Sequence, residues 1–175
     1  MIIRRQLTLF VNETEAVTIE TIRSQYNPIQ RELIDCHVTL CREDELLDMD
    51  QVLKNLLTLK EKAITIYFGP VTRFDNGRGV LLPATNDNKE FHHLRKQVLK
   101  GLNDNPRPQQ PHITLMHPRN STCTDEIFAA ISEIKLPVQL HFTTLSLIEQ
   151  VDGGRWKTLQ VVALPGYNSF FTEGK

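Results

Sequence analysis

Two tetrapeptides of nearly the same spelling, His37-Val38-Thr39-Leu40 and His112-Ile113-Thr114-Leu115, stand at a fixed offset in this chain (112 − 37 = 75). Each is apolar and β-branched, like the middle of a buried strand. A strand's period of two then sets His and Thr on one face and the aliphatic residues on the other. Each strand so offers an imidazole beside a hydroxyl. Two such strands turned to one cleft supply two histidines and two hydroxyl donors, a set fitted to grip a phosphodiester and to move protons on both sides of it. A single copy reads as a hydrogen-bonded structural histidine; the matched pair reads as chemistry. His37 and His112 are the candidate catalytic residues, and Thr39 and Thr114 the candidate substrate-binding ones.

The doubled motif resembles the signature of the two-histidine phosphoesterases, which include the 2′-5′ RNA ligase-like proteins and the cyclic nucleotide phosphodiesterases. Both tetrapeptides match the pattern His-aliphatic-Thr/Ser-aliphatic at every position. The resemblance implies a small two-lobed domain with one motif per half. It also implies metal-free acid-base chemistry on 2′,3′-cyclic phosphates or on 2′-5′ RNA linkages, without choosing between them. In such chemistry one imidazole, neutral, takes a proton from an attacking water or hydroxyl, and the other, protonated, gives one to the leaving oxygen. Histidine's ordinary pKa of about 6.5 permits both states near neutrality. The threonines would donate to the non-bridging oxygens, where charge gathers. The two histidines are equivalent in sequence, so acid and base stay unassigned.

Other side chains carry weaker signals. His92 and His93 fall in a predicted helix, His141 in a strand without a partner motif, and His117, five places after His112, on the opposite face of its strand. Arg73, Arg78, Arg119 and Arg155 are phosphate-contact candidates, and Tyr67, Phe142 and Trp156 are stacking candidates, although hairpin aromatics are more often packing residues. Cys36 adjoins His37, but strand neighbours point apart, which argues against a thiol nucleophile. No phosphate-cradling glycine loop, dinucleotide fingerprint or carboxylate-histidine metal constellation occurs. No cofactor is expected.

Composition bounds the rest. The 175 residues, 40% of them hydrophobic, suffice for one domain with a real core. A net charge of −1 provides no global field for long nucleic acid, so the expected partner is a small substrate: a nucleotide cyclic phosphate or an RNA terminus. No obligate protein partner is indicated. No apolar run approaches a signal peptide or membrane span, and the three cysteines, Cys36, Cys41 and Cys123, lack metal or disulfide spacing. A cytoplasmic protein with reduced thiols is expected. Glu43 to Asp50 is acid-rich and Lys89 to Arg107 base-rich, both readable as solvated helix faces.

The elements that must position the motifs follow from periodicity. Strands are predicted over 6–11, 33–41, 63–71, 78–83, 112–116, 138–150 and 155–164, and helices over 14–26, 44–60, 88–102 and from about 121 to 134. Asp75-Asn76-Gly77 and Asp152-Gly153 mark hairpins. From His37 to Gly77 is 40 positions and from His112 to Gly153 is 41, so strand, helix and hairpin occur twice in one order. That repetition argues for a duplicated unit. The expected fold is α+β: one domain over 1–175, in pseudo-two-fold halves of roughly 1–85 and 86–175 with room for strand exchange. Its two mostly antiparallel sheets would face a central cleft, with helices outside. A non-catalytic module binding an RNA terminus or nucleotide in the same pocket is the alternative reading.

Overall fold

In the computed structural model, which describes residues 1–165, local sequence sets most element ends. Strand β1 (Ile3–Phe10) leads into helix α1 (Glu13–Tyr26). The Asn12 side chain caps α1 by accepting the Thr14 N–H, and Glu13 and Glu15 sit in the first turn, where acids complement the helix dipole. Asn27 ends α1. Pro28, expected only as a stop, also opens a short helix α2 (Pro28–Leu33), because proline's missing N–H costs nothing at a first helical position. The first motif strand, β2 (His37–Cys41), therefore begins at its histidine rather than at Leu33. A 3-10 turn over Glu43–Glu45 and a cap at Asp48 shorten the next helix to α3 (Met49–Thr58).

Two stretches expected as single strands come out differently. Residues 63–71 keep only β3 (Ile64–Tyr67), and a short β4 (Thr72–Arg73) forms just beyond them, the two parted by Gly69-Pro70, since proline cannot donate to a ladder. Helix α4 (Lys89–Val98), the second motif strand β6 (His112–Met116) and α5 (Asp125–Ser132) follow β5 (Val80–Pro83). Residues 138–150 then divide at Thr143 into β7 (Gln139–Phe142) and β8 (Thr144–Val151), and β9 (Lys157–Ala163) returns. The leading pieces β3 and β7 pair with each other as a two-stranded sheet, Ile64 opposite Phe142. The trailing pieces join the main sheet through the two anticipated hairpins. Gly77 turns the first at φ 70°, and Asp152 and Gly153 turn the second at 49° and 73°, the consecutive left-handed pair of a type I′ turn.

Among the described residues the main sheet has seven antiparallel strands in the order β4-β5-β6-β2-β1-β8-β9. The α+β class and the presence of two antiparallel sheets agree with expectation, one sheet being large and the other two-stranded; the placing of the motifs does not. β2 and β6 do not face each other from separate sheets but lie side by side at the centre of one. An antiparallel pair can set both His-x-Thr faces on the same side, so facing sheets are not needed to bring the motifs together. On the opposite side Val38, Leu40, Ile113 and Leu115 enter a continuous core. There α1 packs against β6 and α4 against β2. No helix among the described residues is long and apolar enough to cross a membrane.

Candidate active site

The register of the two central strands determines how the motif residues meet. Val38 lies opposite Ile113 in an antiparallel pair. One step either way sets His37 opposite Thr114 and Thr39 opposite His112. The four side chains thus occupy the corners of a square, each histidine facing the other copy's threonine and the histidines on a diagonal. Opposed Cβ atoms in such a pair are about 4.5–5.5 Å apart and diagonal ones about 7–8 Å. All four residues line one cleft of about 750 Å³.

The two imidazoles are held in the same way. His37 Nδ1 lies 2.7 Å from the Asp35 carbonyl oxygen, and His112 Nδ1 lies 3.2 Å from that of Gln110, in each case two residues back. A carbonyl only accepts, so Nδ1 must carry the proton and Nε2 is left for chemistry. Aromatic edges steady both rings: Phe10 stands 6.0 Å from His37 and Phe74 5.9 Å from His112, both T-shaped. Burial pushes the His37 pKa down to about 4; the Asp35 carbonyl opposes this, while Arg23 and His112 add to it. His112 is lowered as well, by burial first and then by nearby Arg42. Both shifts favour neutral rings at neutral pH, and an anion between them is what would charge one.

Beneath β2 the backbone is pinned from the core. Buried Arg95 pairs with Glu45 at 2.7 Å, donates to the Leu40 carbonyl, and holds Gln109 Oε1 at 3.1 Å. Gln109 Nε2 in turn donates to the Thr39 carbonyl at 2.7 Å. At the strand's start, α1 residue Glu20 accepts the Cys36 N–H and pairs with Arg23. Cys36 is itself buried, and burial, with the Glu20 carboxylate close by, drives its thiol far up and away from reactivity. All three cysteines are free thiols.

His117 requires a correction. Counting by twos from His112 puts it on the core side, yet it lines the cleft. The reason is a bulge. In β2 the pairing to β1 shifts between Thr39 and Cys41, and in β6 the pairing to β5 shifts between Thr114 and Met116. Each motif strand therefore buries two consecutive residues, Leu40 with Cys41 and Leu115 with Met116, and the extra residue reverses the parity beyond it. Arg42 and His117, each five places after its motif histidine, both line the cleft as a result. The sign of this was the pair of adjacent apolar residues ending each motif, which strict alternation does not produce.

The remaining candidates separate cleanly. Arg119 and Trp156 line the cleft, whereas Arg73 pairs with Asp125, Arg155 with Asp35, and Phe142 is core. His141 bonds Thr65 across the small sheet, and His93 pairs with Glu61. Arg4, Phe74 and Asn120, unmarked by any motif, also line the cleft. Its acids are already partnered, Glu43 by Arg4 and Asp44 by Arg107. Among the described residues no carboxylate is paired with Arg42 or Arg119, so the wall has positive charge to spare for an anion. No three of the described His, Cys, Asp or Glu side chains converge as a metal site.

Comparison with known proteins adds family and fold. The sequence profile of the 2′-5′ RNA ligase superfamily matches residues 11–154. No curated protein sequence matches the chain. Among solved structures, the fold is similar to a crystal structure of a phosphoesterase, with a TM-score of 0.64 at 15% identity over 93% of this chain and 98% of that one. It is similar also to Escherichia coli LigT in complex with phosphate, with a TM-score of 0.61 at 16% identity over 93% and 97%. LigT in complex with 3′-AMP gives 0.61 at 16% over 92% and 97%.

Proposed function

We propose, from the premise that this chain belongs to the 2′-5′ RNA ligase superfamily, that it is a metal-independent phosphoesterase acting on RNA-type 2′,3′-cyclic phosphates or 2′-5′ linkages. The observation that carries this reading is the square of His37, Thr114, His112 and Thr39 implied by one strand register. A phosphate seated over it has an imidazole Nε2 on each side and a hydroxyl beside each imidazole. The bound anion favours one protonated ring, which serves the leaving oxygen, while the neutral ring takes the proton of the attacking water or hydroxyl. Thr39 and Thr114 donate to the non-bridging oxygens as charge builds there. That crystals of LigT hold phosphate and 3′-AMP is in keeping with a phosphate-binding cleft on this fold.

The test is a panel of nucleoside 2′,3′-cyclic phosphates and 2′-5′-linked dinucleotides, incubated with the protein in the presence and absence of a chelator. Turnover that persists with the chelator is expected. Loss on chelation with rescue by zinc or manganese would overturn metal independence. Tight binding of the panel without turnover would replace the enzyme by a binding module for RNA ends.

A further inference from the structure

The loop that follows β6 sets two donors side by side. His117 Nδ1 accepts the backbone N–H of Arg119 at 3.1 Å, which fixes the proton of the neutral ring on Nε2. Arg119 Nη2 stands 3.5 Å from that Nε2. A guanidinium only donates, so these two N–H groups cannot satisfy each other. Both residues line the cleft, and among the described residues no carboxylate is paired with Arg119. A fixed cation and a neutral donor side by side on the cleft wall call for an anionic oxygen. Burial, with Arg119 and Arg4 nearby, pushes the His117 pKa down to about 4, so the ring stays a neutral donor at physiological pH.

The pair is also held in place before any ligand arrives. Asn27, only 1% exposed, accepts the His117 N–H on Oδ1 at 2.7 Å and donates Nδ2 to Asn120 Oδ1 at 2.9 Å. Ser121 Oγ donates to the His117 carbonyl at 2.7 Å. A loop fixed in this way loses little freedom on binding, the condition under which donors are worth most. Its distance from the reaction centre is informative. His117 lies three residues beyond Thr114 along a strand rising roughly 3.3 Å per residue, with one step taken up by the bulge, so about 7–10 Å separates them. That exceeds the width of one phosphate and suits the step to the next.

We propose that His117 and Arg119 form a subsite for a second phosphate, neighbouring the one on which the motif histidines act. The favoured substrate class is then a nucleotide chain, or a nucleotide bearing two phosphates, rather than a lone cyclic mononucleotide. This rests on reading the motif square as the reaction centre. The test is equilibrium titration of the wild type and of Arg119→Gln with adenosine 3′,5′-bisphosphate and with adenosine 3′-monophosphate, by calorimetry at fixed ionic strength. The wild type should bind the bisphosphate about tenfold more tightly, as expected for a charge-assisted pair of donors, and Arg119→Gln should bring the two affinities to within about threefold. Equal wild-type affinities, no measurable binding of either ligand, or an equal loss on both ligands in Arg119→Gln would overturn the subsite. Because binding is read without turnover, the two readings fail separately. A protein that keeps the tenfold ratio but turns over no phosphodiester sinks the catalytic reading alone. One that turns over cyclic phosphates without the ratio sinks the subsite alone.

Discussion

An imidazole whose Nδ1 is committed to a backbone carbonyl has a single nitrogen left, and in this cleft that is so for His37 and His112 alike. If they are acid and base for one phosphate, His37→Ala and His112→Ala should each lower kcat by about 10²–10⁴-fold with the thermal transition retained. A folded variant with wild-type turnover of a confirmed substrate would end the paired mechanism. The protonation states give a second check. The His37 pKa of about 4 in the folded chain lies below its unfolded value of about 6.5. Between those values the unfolded chain binds more protons, so this contribution to stability is complete above about pH 6.5 and is lost as the pH falls toward 4. Thermal midpoints measured from pH 7.5 to 4.5 should drop on acidification, and less steeply in His37→Gln. An equal slope in that variant would show that His37 is not the titrating group. Phosphate binding near neutrality should also take up protons, because burial favours the neutral form of both rings until an anion joins them; titrations in buffers of different ionisation heat read this directly.

At the scale of elements, the site depends on small departures from regularity. The bulge in each motif strand turns Arg42 and His117 toward the cleft, and the β4–β5 hairpin brings Phe74 edge-on to His112. Gly79 in that hairpin has no room for a side chain: a Cβ there would lie 2.6 Å from the Met116 carbonyl oxygen, 2.7 Å from Phe74 Cδ2 and 2.8 Å from Pro118 Cδ. Gly79→Ala should therefore cost about 1–3 kcal/mol, a fall of several degrees in Tm, and should lower turnover by displacing Phe74 from His112. A variant with unchanged Tm and kcat would show that the hairpin relaxes without touching the site. Element ends were readable where one residue decides them, as Asn12 does for α1 and Gly77 for its turn. The cut at Thr143 had a fainter mark, the shift of the apolar residues from even positions (Val138, Leu140, Phe142) to odd ones (Leu145, Leu147) across Thr143-Thr144, which a single long strand passes over; pairing with β3 on one side and β1 on the other divides that stretch.

Across the whole molecule, the sheet reads alike outward from its centre, β6-β5-β4 on one side and β2-β1-β8 on the other. We read this as two copies of a strand-helix-strand-helix-strand-strand unit, with the last strand of each given to the other copy's sheet edge: β4 pairs with β5, and β8 with β1. The helices cross in the same sense, α1 to β6 and α4 to β2. Halves so interlocked should not fold alone. A fragment of residues 1–78, which ends before β5, leaves β1 without the six-residue ladder from Ile3 to Thr8 on β8 and β4 without its partner β5. It should show no cooperative thermal transition by itself and regain one when mixed with 79–175; a cooperative transition in the isolated fragment would refute the interlocked reading. The sequence by itself determined the motif residues, their common strand face, the α+β class and the repeated order of elements, because these follow from side-chain chemistry and local periodicity. Only the tertiary structure decided that the motif strands are neighbours in one sheet, that both imidazoles are pushed toward neutrality, and that Arg42, His117 and Arg119 share their cleft. Register, burial and the parity change at a bulge all depend on which strands pair, and pairing is settled by contacts between residues far apart in the chain.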